Sequence, residues 1–336
     1  MQYRTLGDSG LVVSDLALGT MVFDEGSARS ASADESMAMV HALLDAGGTH
    51  IDTANVYGGG RSERVVGRAI SGRRDEVVLA TKVRFAMGDG PNDAGLSRRH
   101  VLASVDASLA RLDTDWIDLL YMHAWDPLTP IDESLRAFDD LVTAGKVRYI
   151  GVSNFAAWQL MKALGLSDGA GWARFVAAQY QYSLLTRDIE WEIAELCRAE
   201  GVGIVPWSPL AGGWLAGKYE RGARPGEGRV ATQPDRDEES WVKRNTDHTW
   251  AVVAAVARVA AEAGVTPSQV ALAWLLARPA VESVIIGVRT MEQLEDDLGA
   301  SDLELDDELL GLLDAASSVP APYPQRFLES YAARTL

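Results

Sequence analysis

Four ionisable side chains fall at or just beyond the ends of three successive apolar runs in this chain. Asp52 follows Thr49-His50-Ile51 with Tyr57 five residues on, Lys82 closes Val77-Val78-Leu79-Ala80-Thr81, and His123 closes Ile117-Asp118-Leu119-Leu120-Tyr121-Met122. A lysine ammonium beside a phenol stabilises the phenolate and draws its pKa toward neutrality, while a carboxylate holds and charges the lysine. Such a trio can hand a proton to a carbonyl oxygen, and a histidine beside it can orient that carbonyl or assist the proton's movement. Singly, each residue has an ordinary reading: a turn cap, a loop anchor, a lysine snorkelling at a strand end, a satisfied polar histidine. Recurrence at three consecutive strand ends is what points to chemistry.

To share one site, those strand ends must lie on one rim. After an opening hairpin that turns at Gly7-Asp8-Ser9-Gly10, strand-like runs are expected at 16–18, 50–52, 77–82, 117–123, 147–153, 177–180, 203–207 and 283–286. Amphipathic stretches at 36–46, 63–70, 99–111, 133–144, 158–164 and 190–200 separate them, the alternation of a parallel sheet with helical crossovers. Eight such units close a (β/α)8 TIM barrel, whose functional residues gather at the C-terminal ends of the strands. A helix at 268–277 supplies a crossover, and two more helices, 249–263 and 306–316, are additional to the eight units. The 336 residues are expected to form a single barrel domain. An open nucleotide-binding sheet would instead carry Gly-x-Gly-x-x-Gly at its first turn. Gly58-Gly59-Gly60 runs on into Arg61-Ser62-Glu63 and lacks the last glycine, so it reads as a tight turn with Ser62 capping the next helix. The long irregular stretch 220–247 has the length of a functional lid or a disordered segment.

A formal charge of −17 argues against nucleic-acid or anionic-membrane surfaces and favours a small-molecule partner. An anionic cofactor must then be met by local cations, backbone N–H groups or a helix N-terminus. The single Cys197 rules out an internal disulfide and reads as a packing residue; no spacing suggests a metal site. The N-terminus has no apolar run of signal-peptide length and the chain none of membrane-spanning length, so a cytoplasmic location is the default expectation. No heptad pattern indicates an oligomeric partner.

The blocks Ile51-Asp52-Thr53-Ala54-Asn55-Val56-Tyr57-Gly58, Thr81-Lys82, Ile117 to His123 and Gly151-Val152-Ser153-Asn154-Phe155 resemble, in order, those of aldo-keto reductases. The resemblance runs from about Leu6 to Ala300. It implies a catalytic tetrad of Asp52, Tyr57, Lys82 and His123, with hydride supplied by a nicotinamide so that the protein contributes alignment and charge. It implies that Ser153, Asn154 and Gln179 hold the carboxamide, that Trp207 stacks on the nicotinamide ring, and that Ser208, Pro209, Leu210, Gly213 and Lys218 meet the pyrophosphate. Gly19, Thr20 and Met21, after the first barrel strand, belong to the same implied cofactor set. The Ile286-Gly287-Val288-Arg289 turn leads into a helix whose N-terminus suits a phosphate, with Arg289 and Gln293 as contacts.

Asp296 and Asp297 stand where the family often has Glu-Asn against adenine and ribose, a departure that admits NADH. Arg289 favours NADPH, since an arginine can face a 2′-phosphate. Pocket walls are expected from the rim loops, with Phe23, Phe85 and Trp125 joining Tyr57 and His123 around the substrate. Such walls suit an apolar aldehyde or ketone, and a sugar or keto-sugar equally. The Ala177 to Leu185 and Trp207 to Gly213 blocks also resemble potassium-channel β subunits, which implies an alternative: an NADPH-binding regulatory protein with little turnover. A nucleotide-free barrel isomerase or hydrolase is the remaining rival.

Overall fold

The computed structural model describes residues 1–23, 30–226, 229–232, 235–329 and 331. The first strands, β1 (Tyr3–Thr5) and β2 (Val12–Ser14), pair antiparallel. Eight parallel strands follow: β3 (Leu16–Gly19), β4 (His50–Asp52), β5 (Val78–Val83), β6 (Ile117–Met122), β7 (Val147–Ser153), β8 (Phe175–Gln179), β9 (Gly203–Ile204) and β10 (Val284–Ile286). Their order in the sheet is β10-β3-β4-β5-β6-β7-β8-β9. The remaining seam closes by backbone hydrogen bonds, with Glu282 N–H donating to Ile204 O at 3.0 Å and Ile285 N–H to Pro206 O at 3.0 Å. The result is the expected (β/α)8 barrel.

Helices α1 (Ala33–Asp45), α2 (Arg61–Ala69), α3 (Arg98–Leu112), α4 (Ile131–Thr143), α5 (Ala157–Ala170) and α6 (Ile193–Glu200) each follow a strand. Between β9 and β10 lie short α7 (Arg229–Thr232) and α8 (Trp241–Arg244), then α9 (Asp247–Ala263) and the crossover α10 (Pro267–Leu276). After β10 come α11 (Met291–Leu298), α12 (Asp307–Ser317) and short α13 (Gln325–Glu329). The two additional helices, α9 and α12, pack on one another.

Period-two alternation divides the apolar residues into two sets. Residues facing out of the barrel join the helices in the main core. A smaller inner cluster holds Ala17, Ala80, Leu119, Tyr121, Ala177, Val205 and Ile285, and Leu6 and Val13 from the N-terminal hairpin complete it. The hairpin thus contributes apolar side chains to the barrel interior.

Element boundaries shifted where local chemistry is subtle. Helix α1 starts at Ala33 because Ser32 and Glu35 form a reciprocal capping box. Helix α5 runs through Gly165 and Gly169 to Ala170, its packed face outweighing the glycine cost. The ninth strand is short because Pro206 has no N–H to give the ladder. Among the described residues no single helix is long and apolar enough to cross a membrane.

Candidate active site

Strand register assembles the site. Gly19 pairs with Asp52, Asp52 with Ala80, and Lys82 with Tyr121, so Asp52 and Lys82 lie at neighbouring strand ends and point into the barrel. Gly19 is required by packing, since a Cβ there would stand 2.6 Å from the Ile285 side chain. The chain then leaves β4 and folds back on itself, with Tyr57 N–H donating to Ala54 O at 3.1 Å. Gly58, Gly59 and Gly60 all take positive φ. A Cβ on Gly60 would also meet the Arg111 side chain at 2.7 Å. These turns return the Tyr57 ring over the barrel mouth.

Ser62 does not cap α2: the N-cap is Gly60, and Ser62 sits buried inside the first turn. Its hydroxyl donates to the Thr20 carbonyl at 2.8 Å and meets the Thr20 and Thr53 hydroxyls at 2.8 and 3.0 Å. Thr20 also donates to Asp52 O at 3.0 Å. Hydroxyls therefore lock the backbone on both sides of Asp52.

At the centre, the Lys82 ammonium pairs with Asp52 Oδ1, donates to Thr53 O at 2.9 Å and reaches Tyr57 Oη at 3.4 Å. Gln179 Nε2 donates to the other Asp52 oxygen at 2.8 Å. Lys82 is 1% exposed and Asp52 2%. Burial opposes the lysine charge, but Asp52 and Tyr57 outweigh it, and the Lys82 pKa stands above its ordinary value. The Tyr57 pKa contradicts the simplest expectation. Burial raises it above that of a free phenol, Lys82 offsets part of this, and Asp52 adds to it. Tyr57 is accordingly a protonated phenol at neutral pH.

His123 meets Tyr57 edge-on at 6.0 Å between ring centroids, and Phe85 packs on it in the same T-shaped manner at 4.7 Å. Burial, with Lys82 and Arg84 nearby, lowers its pKa to about 3, and its Nδ1 has no partner. It is a neutral imidazole. Below, His50 is buried with Nδ1 2.9 Å from Ser283 Oγ and is likewise held neutral, at about 4, by burial.

Around this centre, Ser153 Oγ donates to Gln179 O at 2.8 Å, and Asn154, at φ 55°, donates to His123 O at 3.0 Å. Trp207 borders the inner cluster. Ser208, at φ 57°, has a solvent-shielded hydroxyl without a partner, followed by buried Pro209 and half-buried Leu210. Gly213, at φ 97°, lies against the Tyr219 hydroxyl and the Lys218 side chain. After β10, Gly287 is open, Arg289 N–H donates to Gln293 Oε1 at 2.9 Å, and Thr290 caps α11. The Asp296 carboxylate is already engaged by Thr266 Oγ1 at 3.0 Å and Gln269 Nε2 at 3.3 Å. Asp297 is buried; burial and Asp296 raise its pKa to about 7 against the pull of Lys218.

The expected pocket walls divide. Phe85 lies on His123, and Trp125 packs on Phe155 and Trp158 at 5.1 and 5.6 Å. Met21 is about half exposed, whereas Phe23 is wholly buried in the main core and presents no pocket surface. The side chain following β3 at that position turned into the helix layer. Cys197 is buried. Arg84 was not apparent from the sequence as a site residue, although its position two residues past Lys82 is the period-two signal that finds it. Among the described residues no group of three or more His, Cys, Asp and Glu could hold a metal ion.

An eight-stranded barrel with a buried Asp-Lys pair reaching a phenol at its C-terminal rim agrees with a family profile: residues 15–318 match the aldo/keto reductase family, to which this chain belongs. It is 41% identical over 326 residues to an uncharacterized oxidoreductase, YrpG, of Bacillus subtilis, covering 93% of this chain and 95% of that one. It is 36% identical over 307 residues to a probable voltage-gated potassium channel subunit beta of Arabidopsis thaliana, covering 90% and 92%. A versiconal hemiacetal acetate reductase of Aspergillus parasiticus is 33% identical over 349 residues, covering 96% and 99%.

Proposed function

We propose that this protein reduces an aldehyde or ketone to the alcohol, using NADPH, with Tyr57 as the general acid. The observation that carries the reading is the Lys82 ammonium, paired with Asp52 and 3.4 Å from the Tyr57 hydroxyl. Reduced nicotinamide supplies hydride when bound. Tyr57 then gives its proton to the carbonyl oxygen as negative charge grows there, and the adjacent lysine charge stabilises the phenolate left behind. Asp52, fixed by Gln179, keeps Lys82 in place. Neutral His123 offers a hydrogen bond to the carbonyl without competing for the proton.

The residues present fit the dinucleotide. Ser208 has a buried hydroxyl without a partner, Lys218 and Arg289 supply cations in a strongly acidic chain, and the capped start of α11 suits a phosphate. Ser153, Asn154, Gln179 and Trp207 would hold the nicotinamide, and Arg289 gives NADPH the advantage over NADH. The substrate is a small molecule, and the protein is taken to work in the cytoplasm.

The test is loss of NADPH absorbance over a panel of aromatic aldehydes, dicarbonyls, aldoses and keto-sugars, with NADH and Tyr57→Phe in parallel. Turnover abolished by Tyr57→Phe supports the assignment; undiminished turnover refutes it. The similarity to a probable channel β subunit favours a second reading, an NADPH-binding regulatory protein. Tight NADPH binding without multiple turnovers across the panel would support that instead.

A further inference from the structure

Side-chain alternation along β5 points Arg84 the same way as Lys82, one layer nearer the barrel mouth. The β5–β6 ladder pairs Lys82 with Tyr121 and Val83 with Met122, and His123 N–H extends it by donating to Val83 O at 3.1 Å. Arg84 is therefore the neighbour of His123 across this seam. Its guanidinium lies 5.1 Å from the Phe85 ring, the ring that packs on His123.

Arg84 Nε is shielded from solvent and has no hydrogen-bond partner. Among the described residues no carboxylate forms an ion pair with it. Asp126 feels its charge but is committed to its own loop, accepting from Leu96 N at 2.7 Å, Leu128 N at 3.0 Å and Thr129 Oγ1 at 2.7 Å. A shielded guanidinium donor without a partner is costly, and its planar fork matches a carboxylate or phosphate. In a chain of charge −17 the overall field repels anions, so a local cation is needed to admit one.

We propose that Arg84 determines specificity: the substrate is a carbonyl compound bearing an anionic group, carboxylate or phosphate, with its carbonyl at Tyr57 and His123 and its anion on Arg84. The proposal rests on the carbonyl-reductase reading above.

Its test compares kcat/KM for benzaldehyde, 4-carboxybenzaldehyde and 4-formylphenyl phosphate at saturating NADPH in the wild type, Arg84→Gln and Arg84→Lys. The wild type is expected to prefer an anionic aldehyde, and the anion preferred tells carboxylate from phosphate. Arg84→Gln should lower the anionic-to-neutral ratio roughly 10- to 100-fold, chiefly through KM, and Arg84→Lys should recover part of it. No preference in the wild type, or a ratio unmoved by Arg84→Gln, overturns the proposal. Calorimetric titration of the NADPH-saturated protein with the corresponding alcohols reads the same ratio without turnover. If no aldehyde is reduced the reductase reading fails, and the alcohol ratio still decides the role of Arg84.

Discussion

Lys82→Met removes the charge at the centre of the site while keeping a long, linear side chain. Asp52, 2% exposed, then retains Gln179 Nε2 as its one remaining side-chain donor among the described residues, and Thr53 O loses the Lys82 donor as well. Removing one partner of a buried ion pair costs about 3–5 kcal/mol, because the other charge is left uncompensated. For a chain of this length that lowers Tm by roughly 4–7 °C. The pH at which this is read matters little below the lysine's range. A Lys82 pKa held above its ordinary value of 10.5 means that its contribution is fully present at lower pH and is lost only as pH rises through the folded value. Adding Asp52→Asn removes the stranded carboxylate, so the double variant should recover all but about 1–2 kcal/mol. Activity should not recover, and should stay at least about 100-fold down in both variants. Urea unfolding followed by the fluorescence of the ten tryptophans measures the first quantity, and NADPH consumption the second. Wild-type stability in Lys82→Met, or a double variant no more stable than the single one, would refute the buried-pair argument.

Tyr57→Phe keeps the ring that packs against His123 and removes the donor, so kcat should fall by roughly 100-fold or more while calorimetry shows NADPH still bound. His50, held near pKa 4 against an ordinary value of 6.5, makes the fold acid-sensitive: the unfolded chain takes up a proton first, so stability falls as pH drops through about 6.5. By pH 5 this amounts to about 2 kcal/mol, and a His50→Gln variant should show a flatter dependence of unfolding midpoint on pH between 7 and 5. Asp297, raised to about 7 from 3.8, has the opposite sense: its ionisation favours unfolding as pH rises through that interval. Asp297→Asn should therefore stabilise the protein by about 3–4 kcal/mol at pH 8 and hardly at all near pH 4; equal gains at both would show that the carboxyl is not buried in its charged form's disfavour.

The order of strands and helices was legible because each barrel strand is a short apolar run bounded by a helix with a strong polar face. Eight such runs leave few topologies. The ends of those runs also marked Asp52, Lys82 and His123, which the fold brings together with Tyr57, since the residue closing a parallel strand lies at the C-terminal rim. Boundaries were less legible where capping, as at Ser32, or an internal glycine, as in α5, changed a helix's length without changing its apolar face.

Sequence alone placed Asp52, Lys82 and His123 at the ends of successive strands, because period-two alternation and strand order are properties of the chain. It could not determine their ionisation. A lysine beside a tyrosine reads as a force lowering the phenol pKa, and only the tertiary structure shows that burial acts more strongly in the other direction. Nor could it say that Phe23 turns into the core, that Ser62 links three backbone segments instead of capping a helix, or that Asp296 is occupied by Thr266 and Gln269. Those outcomes depend on partners far apart in the chain, or on a side chain's choice between two packed layers. Arg84 is the sharpest case: its type is plain in the sequence, but that its Nε is buried and finds no partner among the described residues is a property of the folded surroundings.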